Sequence, residues 1–440
     1  MNYKIQNMPR EKLADLISLE LFHGNKKVFL TGGAGTGKST LVKELLENYT
    51  PIMTSTTGVS ALQIDGQTAH SFFKLGIAST LDELKSMDQS TIKKFRMHTI
   101  RRYLSKMIKA IAKADFIVID EVSMLNVNVM EMIKYRLEQS GYPNKPILFT
   151  GDLLQLPPVQ GESILESKDF RESSIFNLNS IYRTNNKKFI EFSTLIRMGE
   201  VTPDIKNYIE SKRYMDQDLT GYVQIFPTVK EVQSQNNQML AELKTESKIY
   251  TPEINKKGSK VYQREIDAFM ENAKITQELE LKVGAQIILT RNSVCENYVN
   301  GDVAIIEKLN DNSISIKLDR DGTTRLIEYV EFENIEFKEV NGSLKKSTKY
   351  VVKALPVMLG WAITIHKSQG AGIEKLYIRT RNLFAQSQFY VAISRSSNPD
   401  NLIIDYEDQR GLDDLLDIIP YINRDAKKFY EELNEGEQYA

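Results

Sequence analysis

The chain has a single cysteine, Cys295, and only four histidines and one tryptophan in 440 residues. One thiol excludes an internal disulfide, and one Cys with four His leaves no Cys/His zinc constellation. Excess charge of either sign is also missing: 57 Lys and Arg face 58 Asp and Glu, for a net charge of −1. That excludes a globally basic, histone-like binder, so any nucleic-acid surface must be a local patch. No apolar run approaches the length of a membrane span, and the polar N-terminus lacks a signal-peptide core. These absences point to a protein with no membrane partner, used in a reducing cytoplasm. Fixed-period repeats and low-complexity tracts are missing as well. What remains is an ordinary balance, 41% hydrophobic and 26% charged, and a length that suggests two to four domains.

The first half alternates strand-like and helix-like segments. Short apolar runs at Val28–Thr31, Ile52–Ser55, Phe116–Ile119 and Ile147–Thr150 have the length of buried strands. Ile100, Tyr103, Leu104, Met107, Ile108 and Ile111 follow helical spacing and predict one helix leading into the run Phe116–Ile119. Such alternation predicts an α/β fold with parallel sheets covered on both faces. The period changes between Gly284 and Val352. Ser313–Leu318 alternates polar and apolar, Asp319–Gly322 supplies a turn, and Thr323–Val330 reads as the return strand. Asn341-Gly342 is a second hairpin signal. This segment reads as a small antiparallel barrel inserted into a second α/β domain. The expected division is residues 1–180, then 181–283 with 353–440, with the barrel at 284–352. Leu376–Ile378 and Leu402–Ile404 are further strand candidates, followed by an acidic helical tail.

Gly32-Gly-Ala-Gly-Thr-Gly-Lys-Ser39 matches GxxxxGK[ST] between a strand and a helix. Glycines let the backbone wrap a phosphate, and the helix points its N–H groups at the anion. Lys38 would reach the β- and γ-phosphates of ATP and Ser39 would ligate Mg²⁺. Asp120-Glu121 ends a buried strand, where α/β sheets bind ligands. Asp120 would hold the Mg²⁺ through water, and Glu121 would orient or deprotonate the attacking water. A Gly-rich turn without ligand and a helix-capping acidic pair are the bland alternatives, and neither explains the ordered set. Further along, Gln155 in Gly151–Val159 is placed to sense the γ-phosphate. Arg183 and Arg395 supply the positive charge that phosphoryl transfer needs, worth on the order of 10³–10⁵ in rate.

In order, the chain carries GGAGTGKS, TTGVSALQIDGQTAHSFF, IDEVSML, GDLLQLPPV, IYR, AITIHKSQG and QFYVAISRS. From about Val28 to Arg395 it resembles the petite-integration-frequency (PIF) family of RecD-like, superfamily-one DNA helicases. The resemblance implies two RecA-like P-loop NTPase domains clamping ATP and an inserted SH3-like β-barrel. It implies 5′-to-3′ unwinding, loading on single-stranded DNA and at single/double-strand junctions, and action as a monomer. Carried over by position, ATP-site roles fall on Gly33, Ala34, Gly35, Thr36, Gly37, Lys38, Ser39, Thr40, Asp120, Glu121, Gln155, Arg183, Gly370 and Arg395. Gln6 is the candidate for reading adenine. DNA-facing roles fall on Thr57, Gly58, Ser60, Thr68, His70 and Phe72, and on Thr364, His366, Lys367, Ser368 and Gln369. G-quadruplex DNA, DNA repair, replication and telomere maintenance enter through the resemblance alone. The chain departs from the family at Ser368-Gln-Gly-Ala-Gly372, where a hydroxyl is missing, and at Tyr142–Lys145, where relatives carry PFGG.

Read from their own chemistry, the hydroxyls of Thr54–Thr57 and Ser60 suit phosphates, and His70 and Phe72 could add a donor and a stacking face. Core packing is the expected role for one of Phe72 and Phe73, and for Trp361. Gln89–Ala114 holds Lys93, Lys94, Arg96, Arg101, Arg102, Lys106, Lys109 and Lys113 without one acidic residue. It is either a DNA-binding patch or a solvated helix face. Residues 74–100 correspond to the small insertion that acts as a separation wedge in relatives. The inserted barrel is either a guide for DNA or a rigid spacer. A P-loop NTPase that loads or remodels without stepping is the rival to a translocating helicase.

Overall fold

The computed structural model describes residues 2–5, 10–94, 99–256, 261–291, 293, 296–340 and 343–435. Gln6, Arg96, Cys295 and the Asn341-Gly342 hairpin signal lie outside them. The chain forms two compact units. The first comprises Met1–Tyr182, Ile335–Thr348 and Asn423–Ala440, the second Arg183–Asn334 and Lys349–Ile422.

The first unit is built on a seven-stranded parallel sheet. In spatial order its strands are Asn2–Ile5, Ser174–Leu178, Lys27–Gly32, Ile147–Gly151, Ile117–Asp120, Ile52–Ser55 and Gln67–Thr68. The four runs anticipated from the sequence are its centre. Their residues are buried along nearly their whole length, as strands covered on both faces must be. Register then sets the site: Thr31 lies opposite Gly151, and Ser55 opposite Asp120. The helix Val127–Ser140 starts on the Asn126 side chain, which accepts from the Val129 N–H, and stops at Gly141, whose φ of 85° ends it in the left-handed region.

Three expectations need correction. The helix predicted across 100–111 is broken at Leu104 into Ile100–Tyr103 and Ser105–Lys113. Ile100, Leu104, Met107 and Ile111 still face the core, while Tyr103 turns outward. Residues 423–440, expected in the second domain, group with the first unit. There the helix Arg424–Glu435 sets Phe429 against Phe29, centroids 6.2 Å apart, and buries Tyr430. Residues 335–348, expected in the barrel, also group with the first unit. The Gln67 amide donates to the Ile335 carbonyl, and Lys106 pairs with Glu336 at 3.5 Å.

The second unit holds a four-stranded parallel sheet in the order Ala362–Thr364, Val223–Phe226, Leu376–Arg379, Leu402–Asp405. Beside it in sequence is a five-stranded antiparallel sheet: Thr324–Glu328, Ser313–Leu318, Val303–Leu309, Gln286–Leu289 and Val357–Leu359. Its last strand lies past the expected limit of 352. The inward residues of the alternating pattern, Ile314, Ile316 and Leu318, pack with Ile287, Leu289, Ile306 and Trp361. Trp361 is therefore a core residue. Among the described residues no helix is long and apolar enough to cross a membrane.

Candidate active site

The strand Lys27–Gly32 delivers the P-loop to the C-terminal edge of the first sheet. Gly35 and Gly37 have φ of 80° and 89°, conformations that an L side chain resists. Gly37 then starts the helix Lys38–Asn48 with no side-chain cap, so its first N–H groups remain available to an anion. Lys38 Nζ donates to the Gly32 carbonyl at 2.7 Å and the Gly33 carbonyl at 3.0 Å, and Thr36 Oγ1 donates to the Gly33 carbonyl at 2.9 Å. The loop is thus folded around its own lysine. Ser39 and Thr40 are exposed at its mouth. Tyr182 closes the other side, its N–H donating to the Gly35 carbonyl at 2.8 Å.

Asp120 and Glu121 emerge two strands away, with Gly151 between. A Cβ on Gly151 would stand 2.8 Å from the Val122 nitrogen, so only glycine lets the chain after Glu121 pass so close. Glu121 itself is left-handed at φ 55°, a conformation costly for a non-glycine residue and common where function fixes a side chain. Burial pushes the Asp120 carboxyl above the usual range; the Thr150 hydroxyl that donates to it, the Glu121 N–H and the nearby Lys38 cation all work the other way. Gln155 follows in the turn after Ile147–Gly151, its own N–H donating to the Asp152 carbonyl at 2.9 Å. Lys38, Ser39, Asp120, Glu121 and Gln155 therefore share one sheet edge.

The first set expected to face DNA lies on the same unit. Here the hydroxyls divide. Thr54 donates to the Val118 carbonyl at 2.6 Å, Ser55 to the Asp120 carbonyl at 3.3 Å and Thr56 to the Glu121 carbonyl at 2.8 Å. These three, expected to suit phosphates, instead fasten their loop to the acidic strand. Thr57 and Ser60 bond to each other at 2.8 Å, and Thr57 caps the helix Gly58–Gln63. Thr68 caps Ala69–Phe72 in the same way. The stacking face expected of Phe72 is turned inward. It is buried and packs edge-on against the buried Phe73, centroids 4.9 Å apart, because a four-residue helix that ends at Phe72 and is capped by Phe73 can hide both rings. Burial lowers the pKa of His70.

The second set repeats the device. Thr364 ends the strand Ala362–Thr364 and caps the helix Ile365–Ser368, accepting from the Lys367 N–H. Burial lowers the pKa of His366. Ser368 is buried and donates to the Ile365 carbonyl at 2.7 Å, Gln369 is buried, and Gly370 turns the chain at φ 83°. Arg395 is also buried. Its Nε donates to the Val391 carbonyl at 3.0 Å and one terminal nitrogen to Ser394 Oγ at 2.7 Å. Arg183 donates to the Ser394 carbonyl. Lys274, just past the Ala273 cap of the helix Gln263–Asn272, has φ 58° and lies beside this set through Lys367. Burial, with the Lys367 cation adding to it, brings its pKa down to about 8. A lone Lys after a helix carries no sequence signal of such burial.

The PIF1-like helicase family model matches residues 8–206. The chain is 33% identical over 410 residues to the ATP-dependent DNA helicase Pif1 of Campylobacter jejuni, covering 88% of this chain and 90% of that one. The chain belongs to the PIF1-like helicase family. Among solved structures, Bacteroides Pif1 in complex with ADP-AlF4 matches with a TM-score of 0.75 at 23% identity, over 97% of each chain, a likeness of fold. Bacteroides Pif1 in complex with ADP-AlF3 and ssDNA matches with a TM-score of 0.62 at 25% identity, over 98% of each chain. As in those relatives, two RecA-like parallel sheets and appended antiparallel sheets make up the PIF1-like fold.

Proposed function

We propose that this chain, an ATP-dependent DNA helicase, steps 5′-to-3′ along single-stranded DNA and opens duplex at single/double-strand junctions. The observation that carries the reading is the repeated strand, threonine cap and short helix, at Thr57 in one unit and Thr364 in the other. A stepping motor needs two grips worked in alternation, and a loader or remodeller does not. In this reading ATP binds Gly33–Thr40, with Lys38 leaving its own loop carbonyls for the phosphates. Glu121 orients the attacking water, Gln155 reads the γ-phosphate, and Arg183 and Arg395 meet the charge that develops in transfer.

Ser39 and Asp120 fit Mg²⁺. One hydroxyl and one carboxylate suit an ion that completes its shell with water and substrate oxygens, and no cluster of three or more His, Cys, Asp or Glu exists among the described residues. When bound, that ion would neutralise phosphate charge. Grip residues are Thr57, Gly58, Ser60, Thr68 and His70, then Thr364, His366, Lys367, Ser368 and Gln369. Residues 74–100 serve as the wedge. In support, Ile77 is 90% exposed on a turn whose base is held by Arg136, which donates to the Phe73 carbonyl at 3.0 Å and the Lys74 carbonyl at 3.1 Å. The chain acts as a monomer in the cytoplasm, on the nucleoid if the cell is bacterial. Replication, repair, telomere maintenance and G-quadruplex opening belong to the proposal as processes such an activity serves.

Paired duplexes with a 5′ or a 3′ single-stranded tail test it. Unwinding should require ATP and the 5′ tail. Strong DNA-stimulated ATPase with no strand separation on either substrate would favour the loader.

A further inference from the structure

The strands Lys27–Gly32 and Ile147–Gly151 run side by side as far as the pair Thr31 and Gly151. Beyond it they part, one into the P-loop and the other into the turn Asp152–Gln155. The gap between the two loops is filled from the far end of the chain. Tyr430, on the helix Arg424–Glu435, places its hydroxyl there. That oxygen accepts from the Leu153 N–H at 3.1 Å and shares a hydrogen bond with Thr31 Oγ1. Tyr430, Thr31 and Leu153 are all buried, at 1%, 0% and 3% exposure, so water cannot replace the hydroxyl.

The turn it holds is short. Leu154 N–H donates to Asp152 Oδ1 at 3.1 Å, and Gln155 N–H to the Asp152 carbonyl at 2.9 Å. Those two bonds shape the turn from within. The Tyr430 hydroxyl joins the turn at Leu153 to Thr31, the residue that precedes Gly32.

We infer that Tyr430 is a positioning residue for ATP turnover, fixing the Gln155 turn against the P-loop through one shared hydroxyl. This rests on reading Gln155 as the γ-phosphate sensor. The sensor works only if its turn stands at a fixed distance from the loop that holds the phosphates. A displacement of the order of 1 Å at such a group lowers kcat far more than it lowers binding.

The variant Tyr430→Phe removes the hydroxyl and keeps the ring. In DNA-stimulated ATPase assays of the full chain it should lower kcat by about tenfold or more, with KM for ATP changed less than about twofold. Thr31→Val should give a smaller kcat loss, and the double variant should match Tyr430→Phe alone, since both cut one link. Gln155→Ala is the control. If it turns over like wild type, the sensor reading fails and takes the inference with it. If Gln155→Ala is slow and Tyr430→Phe is not, the inference alone is overturned. A Tyr430→Phe enzyme whose melting temperature, KM and kcat all deteriorate together would reduce Tyr430 to a packing residue and overturn it too.

Discussion

Arg183 and Arg395 meet at one residue. The Arg183 guanidinium donates to the backbone carbonyl of Ser394, and that of Arg395 donates to the Ser394 hydroxyl at 2.7 Å. Burial lowers the pKa of Arg183, but a guanidinium remains a cation in proteins. Two positive charges 212 positions apart in sequence are thus held around a single serine.

Removing either charge should slow chemistry. For Arg183→Ala we expect kcat for ATP to fall on the order of 10³-fold, with nucleotide affinity within a few-fold of wild type. Arg395→Ala should show the same loss and also a lower melting temperature, because it vacates a buried site with bonds to Val391 and Ser394. Steady-state ATPase beside a thermal melt separates the two. Wild-type turnover in Arg183→Ala would remove it from the transition state.

The P-loop lysine and the acidic strand should fail differently. Lys38→Ala should abolish binding of a fluorescent ADP analogue, since the loop loses the cation that it encloses at 2.7 and 3.0 Å. Glu121→Gln should bind the analogue normally and lose turnover by about 10²-fold or more. Normal hydrolysis by Glu121→Gln would mean another group handles the water.

The base of the proposed wedge depends on one buried ion pair. Arg136 and Asp88 meet at 2.6 and 2.8 Å in a two-pronged bond, with side-chain exposure of 1% and 8%. Asp88→Ala leaves a buried guanidinium uncompensated and should cost about 3–5 kcal/mol in urea unfolding. Replacing both partners with apolar residues should cost much less. Equal losses in the single and double variants would show that volume, not charge, is what matters there.

Acid should loosen both of the proposed grips. His70 and His366 have pKa values lowered by burial. Each folded-state value lies below the unfolded one, so the native state binds fewer protons near pH 6.5. The stability these residues contribute is complete above the unfolded value and is lost as pH falls through the folded one. The urea midpoint should therefore drop between pH 7 and pH 5. The double variant His70→Gln, His366→Gln should flatten that drop, and an unchanged slope would place the titration elsewhere.

Much of the site was legible because its chemistry is local. Gly35, Gly37, Lys38 and Ser39 act within one turn, so spacing alone fixes their relation, and the apolar runs ending at Thr31, Asp120 and Gly151 announce buried strands. The same locality misled where partners are distant. Thr54, Ser55 and Thr56 look like phosphate ligands until their acceptors on the neighbouring strand are seen. Phe72 looks like a stacking platform until its ring is found in the core.

By itself the sequence determined the glycine-rich loop, the strand-end acids Asp120 and Glu121 and the parallel-sheet scaffold, since each is written in residues a few positions apart. Only the tertiary structure decided that Asp88 belongs to Arg136, that Arg183 and Arg395 share Ser394, and that Tyr430 reaches back to Thr31. Those pairings join residues tens to hundreds of positions apart, and no periodicity encodes them. They arise because a buried hydroxyl or charge must find a partner, and the packed fold offers one.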